Sequence, residues 1–282
     1  MVHQEFRMQR KLPEELLNLP ETPVMPVLFV GHGNPMNAIE ENFYTNEWKK
    51  IASGLTVPKA ILCISAHWLT EGTWVTAMEY PKTIHDFHGF PKELFDVNYP
   101  APGAPQFAEF TKSLVKKTEV GLDYKWGIDH GTWSVLNQMF PAHEIPVYQL
   151  SIDYHRPAQY HYELATELKT LRSKGVLIMG SGNIVHNLRV MQFGDLSYDW
   201  TIEFDEIVKN FIVSRNDKSL IDYQKLGEIA KLSIPTPDHF FPLMYSLGAT
   251  EKDEIINFFS EKTTMGSISM RSVLIKKRPL IQ

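Results

Sequence analysis

Four short apolar runs, separated by longer amphipathic segments, limit most strongly how this chain folds. They cover residues 24–30, 60–65, 147–152 and 176–180. Each is too short for a typical helix. Their largely apolar character predicts strands buried on both faces, as in a parallel sheet covered by helices. A weaker alternating candidate, 74–78, is expected nearer a sheet edge. Helical patterns occupy 46–53, 104–120, 158–173 and 201–213. Strands alternating with helices predict an α/β fold, a single domain with a mainly parallel or mixed central sheet and helices on both faces. The proline-rich stretch from Tyr99 to Pro105 leads straight into a helical pattern, so it is read as a rigid loop rather than a linker.

Placed on this frame, the histidines acquire meaning. His32 follows the first run within Gly31-His32-Gly33-Asn34-Pro35, and His67 follows the second within Ser65-Ala66-His67-Trp68. His186 follows the fourth run, after Gly180-Ser181-Gly182, while His130 sits in Asp129-His130-Gly131 and His239 in Pro237-Asp238-His239-Phe240. Ligand sites of open α/β sheets form beyond the carboxyl ends of the strands. Three of these histidines would therefore converge on one edge, and neutral imidazole is a preferred ligand for iron and zinc. Asp153, also at a strand end, is a further carboxylate ligand or a hydrogen-bonding partner to a ligand. His85 and His88 are candidates for a substrate entrance. His3, His143, His155 and His161 are expected at the surface.

Composition narrows the alternatives. A net charge of -5 gives no support for a nucleic-acid or membrane partner, and Lys276-Lys277-Arg278 reads as a solvated terminus. The single cysteine, Cys63, lies inside an apolar run and reads as a buried small side chain. It excludes an internal disulfide and a cysteine-rich zinc site. No segment approaches the length of a membrane span and the first twenty residues lack a signal-peptide core, so a cytoplasmic location is expected.

These motifs resemble the 4,5-DOPA extradiol dioxygenase family, a class III group similar to the protocatechuate-dioxygenase beta subunit. The resemblance rests on the histidine segments above, together with Asp86-Phe87-His88-Gly89-Phe90-Pro91, Tyr99-Pro100-Ala101-Pro102-Gly103, Asp129-His130-Gly131-Thr132-Trp133 and the stretch from Pro235 to Pro242. It runs from Val27 to the segment ending at Met270. It implies an N-terminal extension over residues 1–23 and a catalytic domain over 24–282. It also implies cleavage of a DOPA-like catechol beside its two hydroxyls, with both atoms of O₂ inserted.

His32, His67, His186 and His239 would hold a non-haem metal, Fe(II) for catalysis, with Zn(II) able to occupy the same site. His130 would act as acid and base, and His88, Asn34 and Ser181 would contact substrate. The partners implied are a small-molecule catechol and O₂. Better-known relatives use two histidines and a glutamate, and commonly carry an aromatic where His88 stands. The residues by themselves leave open a zinc-dependent hydrolase on the same scaffold, or a non-catalytic metal-binding protein.

Overall fold

Each of the four apolar runs becomes a strand of one sheet. The structure, a computed structural model, describes residues 21–279, so nearly all of the expected N-terminal extension lies outside the described residues. The sheet comprises β1 (Val27–Gly31), β2 (Ala60–Ser65), β3 (Val147–Gln149), β4 (Val176–Gly182), β5 (Ile255–Phe259) and β6 (Ser272–Lys276), in the order β3-β2-β4-β1-β6-β5. The first four in that order are parallel; β6 runs antiparallel to β1, and β5 antiparallel to β6. The sheet is therefore mixed, with a parallel centre.

Alternate residues feed two cores. Val27, Phe29, Leu62 and Ile178 face α2 (Pro105–Leu114), α4 (Ala158–Thr166), α6 (Asp199–Val213) and α7 (Phe241–Gly248). Leu28, Val30, Ile61 and Met179 face α1 (Phe43–Ser53) and α3 (His130–Met139), where Trp48 and Trp133 are fully buried. This period-two division is what burial of both faces of a sheet requires. Cys63 is buried as expected, and burial pushes its thiol up. Among the described residues, no helix is long and apolar enough to cross a membrane.

Four expectations are corrected. The 74–78 candidate becomes Thr73–Thr76, which pairs with Val120–Asp123 in a separate two-stranded sheet. The helix expected over 104–120 stops at Leu114, and that over 158–173 breaks after Thr166 before resuming as α5 (Lys169–Ser173). His161 is not at the surface. It lies on the face of α4 that packs against α7, where its Nδ1 accepts from the Tyr245 hydroxyl at 3.0 Å and its Nε2 donates to the Arg156 carbonyl at 3.3 Å. Of the others expected there, His155 is exposed, His143 is half-buried and His3 lies outside the described residues.

Burial lowers the His161 imidazole to about 4. The unfolded chain then takes up a proton near pH 6.5 that the folded chain refuses until about pH 4. Stability is thus unpenalised above that window and falls as pH drops through it, by at most on the order of 3 kcal/mol from this residue. Urea unfolding of wild type and His161→Gln from pH 7 to 4 should show a shallower decline in the variant. Parallel declines would show that His161 carries no such penalty.

Candidate metal centre

The parallel register makes the strand ends level. Val30 lies beside Ser181, Gly31 beside Gly182, and Ser65 beside Ser181 on the other side of β4. Beyond these ends, the His32 N–H still donates to Gly182 O at 3.1 Å, and the Ala66 N–H to Ser181 O at 3.0 Å. His32 and His67 are therefore delivered to one edge at nearly one height. A Cβ at Gly31 would stand 2.7 Å from the Met270 carbonyl, and Gly33 has φ 59°, so this turn accepts only glycine on either side of His32.

The remaining histidines arrive from helix starts and loops. Asp129 caps α3, accepting from Thr132 N at 3.1 Å, which sets His130 as the first residue of the helix. A Cβ at Gly131 would press within 2.7 Å of the His67 ring, so α3 begins flush against the β2 end. His186 lies past β4, and His239 precedes α7, with its carbonyl accepting from Asn183 N at 2.9 Å.

All five rings gather into one cluster. The centroids of His32, His67 and His239 form a nearly equilateral triangle with sides of 5.1, 5.1 and 5.2 Å. His186 stacks face to face on His239 at 3.4 Å, and His130 lies 3.8 Å from His67. Ligand atoms of His32, His67 and His130 all lie within 4.8 Å of one another, as do those of His186, Asp238 and His239.

The hydrogen bonds assign protons. The Ser181 hydroxyl donates to Gly131 O, so it must accept from His32 Nδ1, 3.0 Å away. That leaves His32 Nε2 bare and 3.2 Å from His67 Nε2. The Nδ1 of His67 faces Asp86 Oδ2 at 3.5 Å, and the Nδ1 of His239 bonds to Asp238. His239 Nε2 is buried with no hydrogen-bond partner. A buried bare nitrogen such as His239 Nε2 is costly unless it meets a proton donor or a cation. Carboxylate behind imidazole is the usual arrangement around a metal-binding histidine. The donor set fits a non-haem divalent metal.

Electrostatics agree with neutral rings. Burial, then the neighbouring histidines, holds His32 and His239 well below the ordinary imidazole range. Burial brings His67 to about 3 and His186 to about 4. Asp86 binds the two halves together: its Oδ1 accepts from the His130 backbone N–H at 3.0 Å and lies 2.9 Å from His130 Nδ1. Burial alone would raise this carboxyl, but His130 and His67 outweigh it and hold it below its usual value.

A cavity of about 650 Å³ opens over the cluster, lined by all five histidines and by Asn34 and His88. His88 is exposed, and Asn34 directs its side-chain oxygen to Met36 N at 3.0 Å. Ser181, expected to contact substrate, is fully buried behind His32 and does not line the cavity; its hydroxyl instead fixes that ring. Asp153 does not join the cluster either, because its strand, Ile152–Asp153, pairs with Leu69–Thr70 and leaves the carboxylate near Arg156. His85 turns away to place Nε2 2.9 Å from Val97 O. Sequence reading missed Asp86, Asp129 and Asp238 as partners. The Asp-His pairs at 129–130 and 238–239 were a readable signal for two of them, whereas Asp86 is placed only by the fold.

Residues 23–273 match the model of the catalytic LigB subunit of aromatic ring-opening dioxygenases. The chain belongs to this family. It is 48% identical over 257 residues to 4,5-DOPA dioxygenase extradiol of Escherichia coli K12, covering 89% of this chain and 94% of that one. It is also 35% identical over 249 residues to 4,5-DOPA dioxygenase extradiol of Beta vulgaris, covering 84% and 92%. The crystal structure of an uncharacterized Escherichia coli K12 protein superposes with a TM-score of 0.78 at 43% identity, covering 89% of this chain and 99% of that one. LigB membership makes this chain an oxidoreductase of the ring-opening type and favours dioxygenase chemistry over the hydrolase and the non-catalytic reading.

Because Ser181 sets the His32 tautomer, Ser181→Ala should weaken divalent-metal binding by about 10- to 100-fold, measured by competition with a chromophoric chelator. Unchanged affinity would mean that the hydroxyl is a packing contact only.

Proposed function

We propose that this chain is an Fe(II) extradiol dioxygenase that opens a DOPA-like catechol ring next to its hydroxyls, working in the cytoplasm on a small molecule and O₂. The observation that carries it is the convergence of unprotonated imidazoles on the floor of a cavity, with His130 beside them and backed by a carboxylate. His32, His67 and His239 are the proposed metal contacts, with His186 stacked on His239 as the fourth. Fe(II) held there supplies the redox chemistry that couples a catechol to O₂. Zn(II) favours the same imidazoles and would compete for them without that chemistry.

The chain's own residues do the rest. His130 sits at the base of the cavity and takes the proton of a catechol hydroxyl, later returning it to the opening ring. Asp86 orients His130 through its backbone N–H and holds His67 with the other oxygen. Phe87 and Phe90, from the same loop, wall the cavity and limit water around the reacting ring. Asn34 and His88 are the polar side chains placed to contact the substrate away from the metal.

Anaerobic loading with Fe(II), followed by O₂ uptake with a catechol panel that includes DOPA, should give one O₂ per ring opened and a yellow product. Zinc-loaded protein should give none. His130→Ala should bind metal as wild type does and lose about 10²- to 10⁴-fold in kcat. Loss of metal instead would make His130 a ligand, and hydrolysis supported by zinc without O₂ would replace the dioxygenase reading.

A further inference from the structure

One buried carboxylate takes no part in the proposed reaction, yet it joins the elements that carry His67 and His130. Asp129 is fully buried, and donors from β2, α3 and β3 converge on it. Its Oδ1 accepts from the Ser65 hydroxyl at 2.7 Å and from the Thr132 N–H at 3.1 Å. Its Oδ2 accepts from Gln149 Nε2 at 2.6 Å, while Gln149 Oε1 accepts from the Asp129 N–H at 3.0 Å. The Ser65 hydroxyl in turn accepts from the His67 N–H at 3.2 Å. A Cβ at Gly131 would stand 2.6 Å from that hydroxyl, so the strand end and the helix start are in contact. A chain of bonds therefore runs from His67 through Ser65 and Asp129 to the start of α3.

A helix cap needs one acceptor, which asparagine or serine supplies as well. The partners of Asp129 need more. Ser65, Thr132 and Gln149 all donate to it, and an ionised carboxylate accepts from all three without presenting a donor of its own. An amide that kept the cap would turn its NH₂ on the Gln149 NH₂. Rotating the Gln149 amide would only set that NH₂ against the backbone N–H it now accepts from. Buried donors facing one another are costly, so the helix start would shift. We propose, building on the ring-cleaving function above, that Asp129 is a positioning residue: through Ser65, Thr132 and Gln149 it fixes His130 against His67, and proton transfer depends on that placement. Asp86 holds the His130 ring, whereas Asp129 fixes the point where α3 begins. The His67 and His130 ring centroids lie 3.8 Å apart, so a displaced helix start changes their relation directly. A misplacement on the order of 1 Å costs about 10²-fold in rate. The proposed metal contacts keep partners of their own, Ser181 for His32, Asp86 for His67 and Asp238 for His239.

The test is Asp129→Asn, alone and combined with Gln149→Glu. In the double variant the new carboxylate accepts from both the backbone N–H and the new amide, so each bond is restored with the charge moved to position 149. Turnover is followed by O₂ uptake on the Fe(II)-loaded protein with the best catechol of the panel above. Metal affinity is measured by chelator competition, and long-range ¹H–¹⁵N spectra of the zinc-loaded protein report the imidazoles. Asp129→Asn should lower kcat about 10²-fold with KM nearly unchanged. Metal affinity should fall by less than the roughly 10-fold that loss of a ring partner costs. The His130 signals should move while those of His239 stay, and the double variant should recover both kcat and the His130 signals. If Asp129→Asn does not fold, Ser65→Ala should show the same pattern with a smaller loss of kcat. Wild-type kcat and unmoved His130 signals in Asp129→Asn would overturn the proposal. So would a loss of activity that excess Fe(II) abolishes, or a double variant as inactive as the single one. Wild-type protein that opens no catechol would overturn ring cleavage itself, and the proton-transfer role of this placement with it.

Discussion

Everything at the site depends on three parallel strands ending at the same height. Because β1, β2 and β4 pair in parallel with Gly31, Ser65 and Gly182 at their ends, the residues that follow share one edge of the sheet. Two imidazoles can then face each other at 3.2 Å without long loops to hold them there. A shift of one residue in β2 would send His67 to the opposite side, since successive side chains alternate between faces. The apolar packing of both sheet faces thus serves the site by fixing this register.

The second requirement is proton control. Bare nitrogens must point inward, so each ring needs an acceptor behind it. Ser181 serves His32, Asp238 serves His239, and Asp86 stands behind His67. Asp129 lies deeper, accepting from Ser65 at 2.7 Å and Gln149 at 2.6 Å while capping α3. One buried carboxylate therefore connects the end of β2 to the helix that begins with His130. The proposed metal ligands and the residue proposed to move the proton are linked through these partners.

The parallel core of the fold was legible because 60–65 and 176–180 are continuous apolar runs, which only doubly covered strands require. The strands β5 and β6 were not, since Asn257 and Ser272 interrupt or open runs that pair antiparallel near the sheet edge. Helices α3 and α7 escaped for the opposite reason. Nearly every residue of α3 and all of α7 are buried, so neither shows the one-sided periodicity by which a helix is read. The gathering of histidines was legible from strand ends, but the role of Ser181 was not. A hydroxyl in a glycine-rich loop reads equally as a substrate contact, and only the fold shows the ring of His32 lying between it and the cavity.

The central claim is that His32, His67 and His239, with His186 as the fourth contact, hold a divalent metal while His130 stays free to move a proton. A crystal structure of the Fe(II)-loaded protein with a catechol, kept anaerobic, tests it directly. The ion is expected on the Nε2 atoms of His32, His67 and His239 and on the ring of His186, with His130 beside a catechol hydroxyl and still held by Asp86. An ion coordinated by His130, or one seated away from the His32–His67 pair, would contradict it.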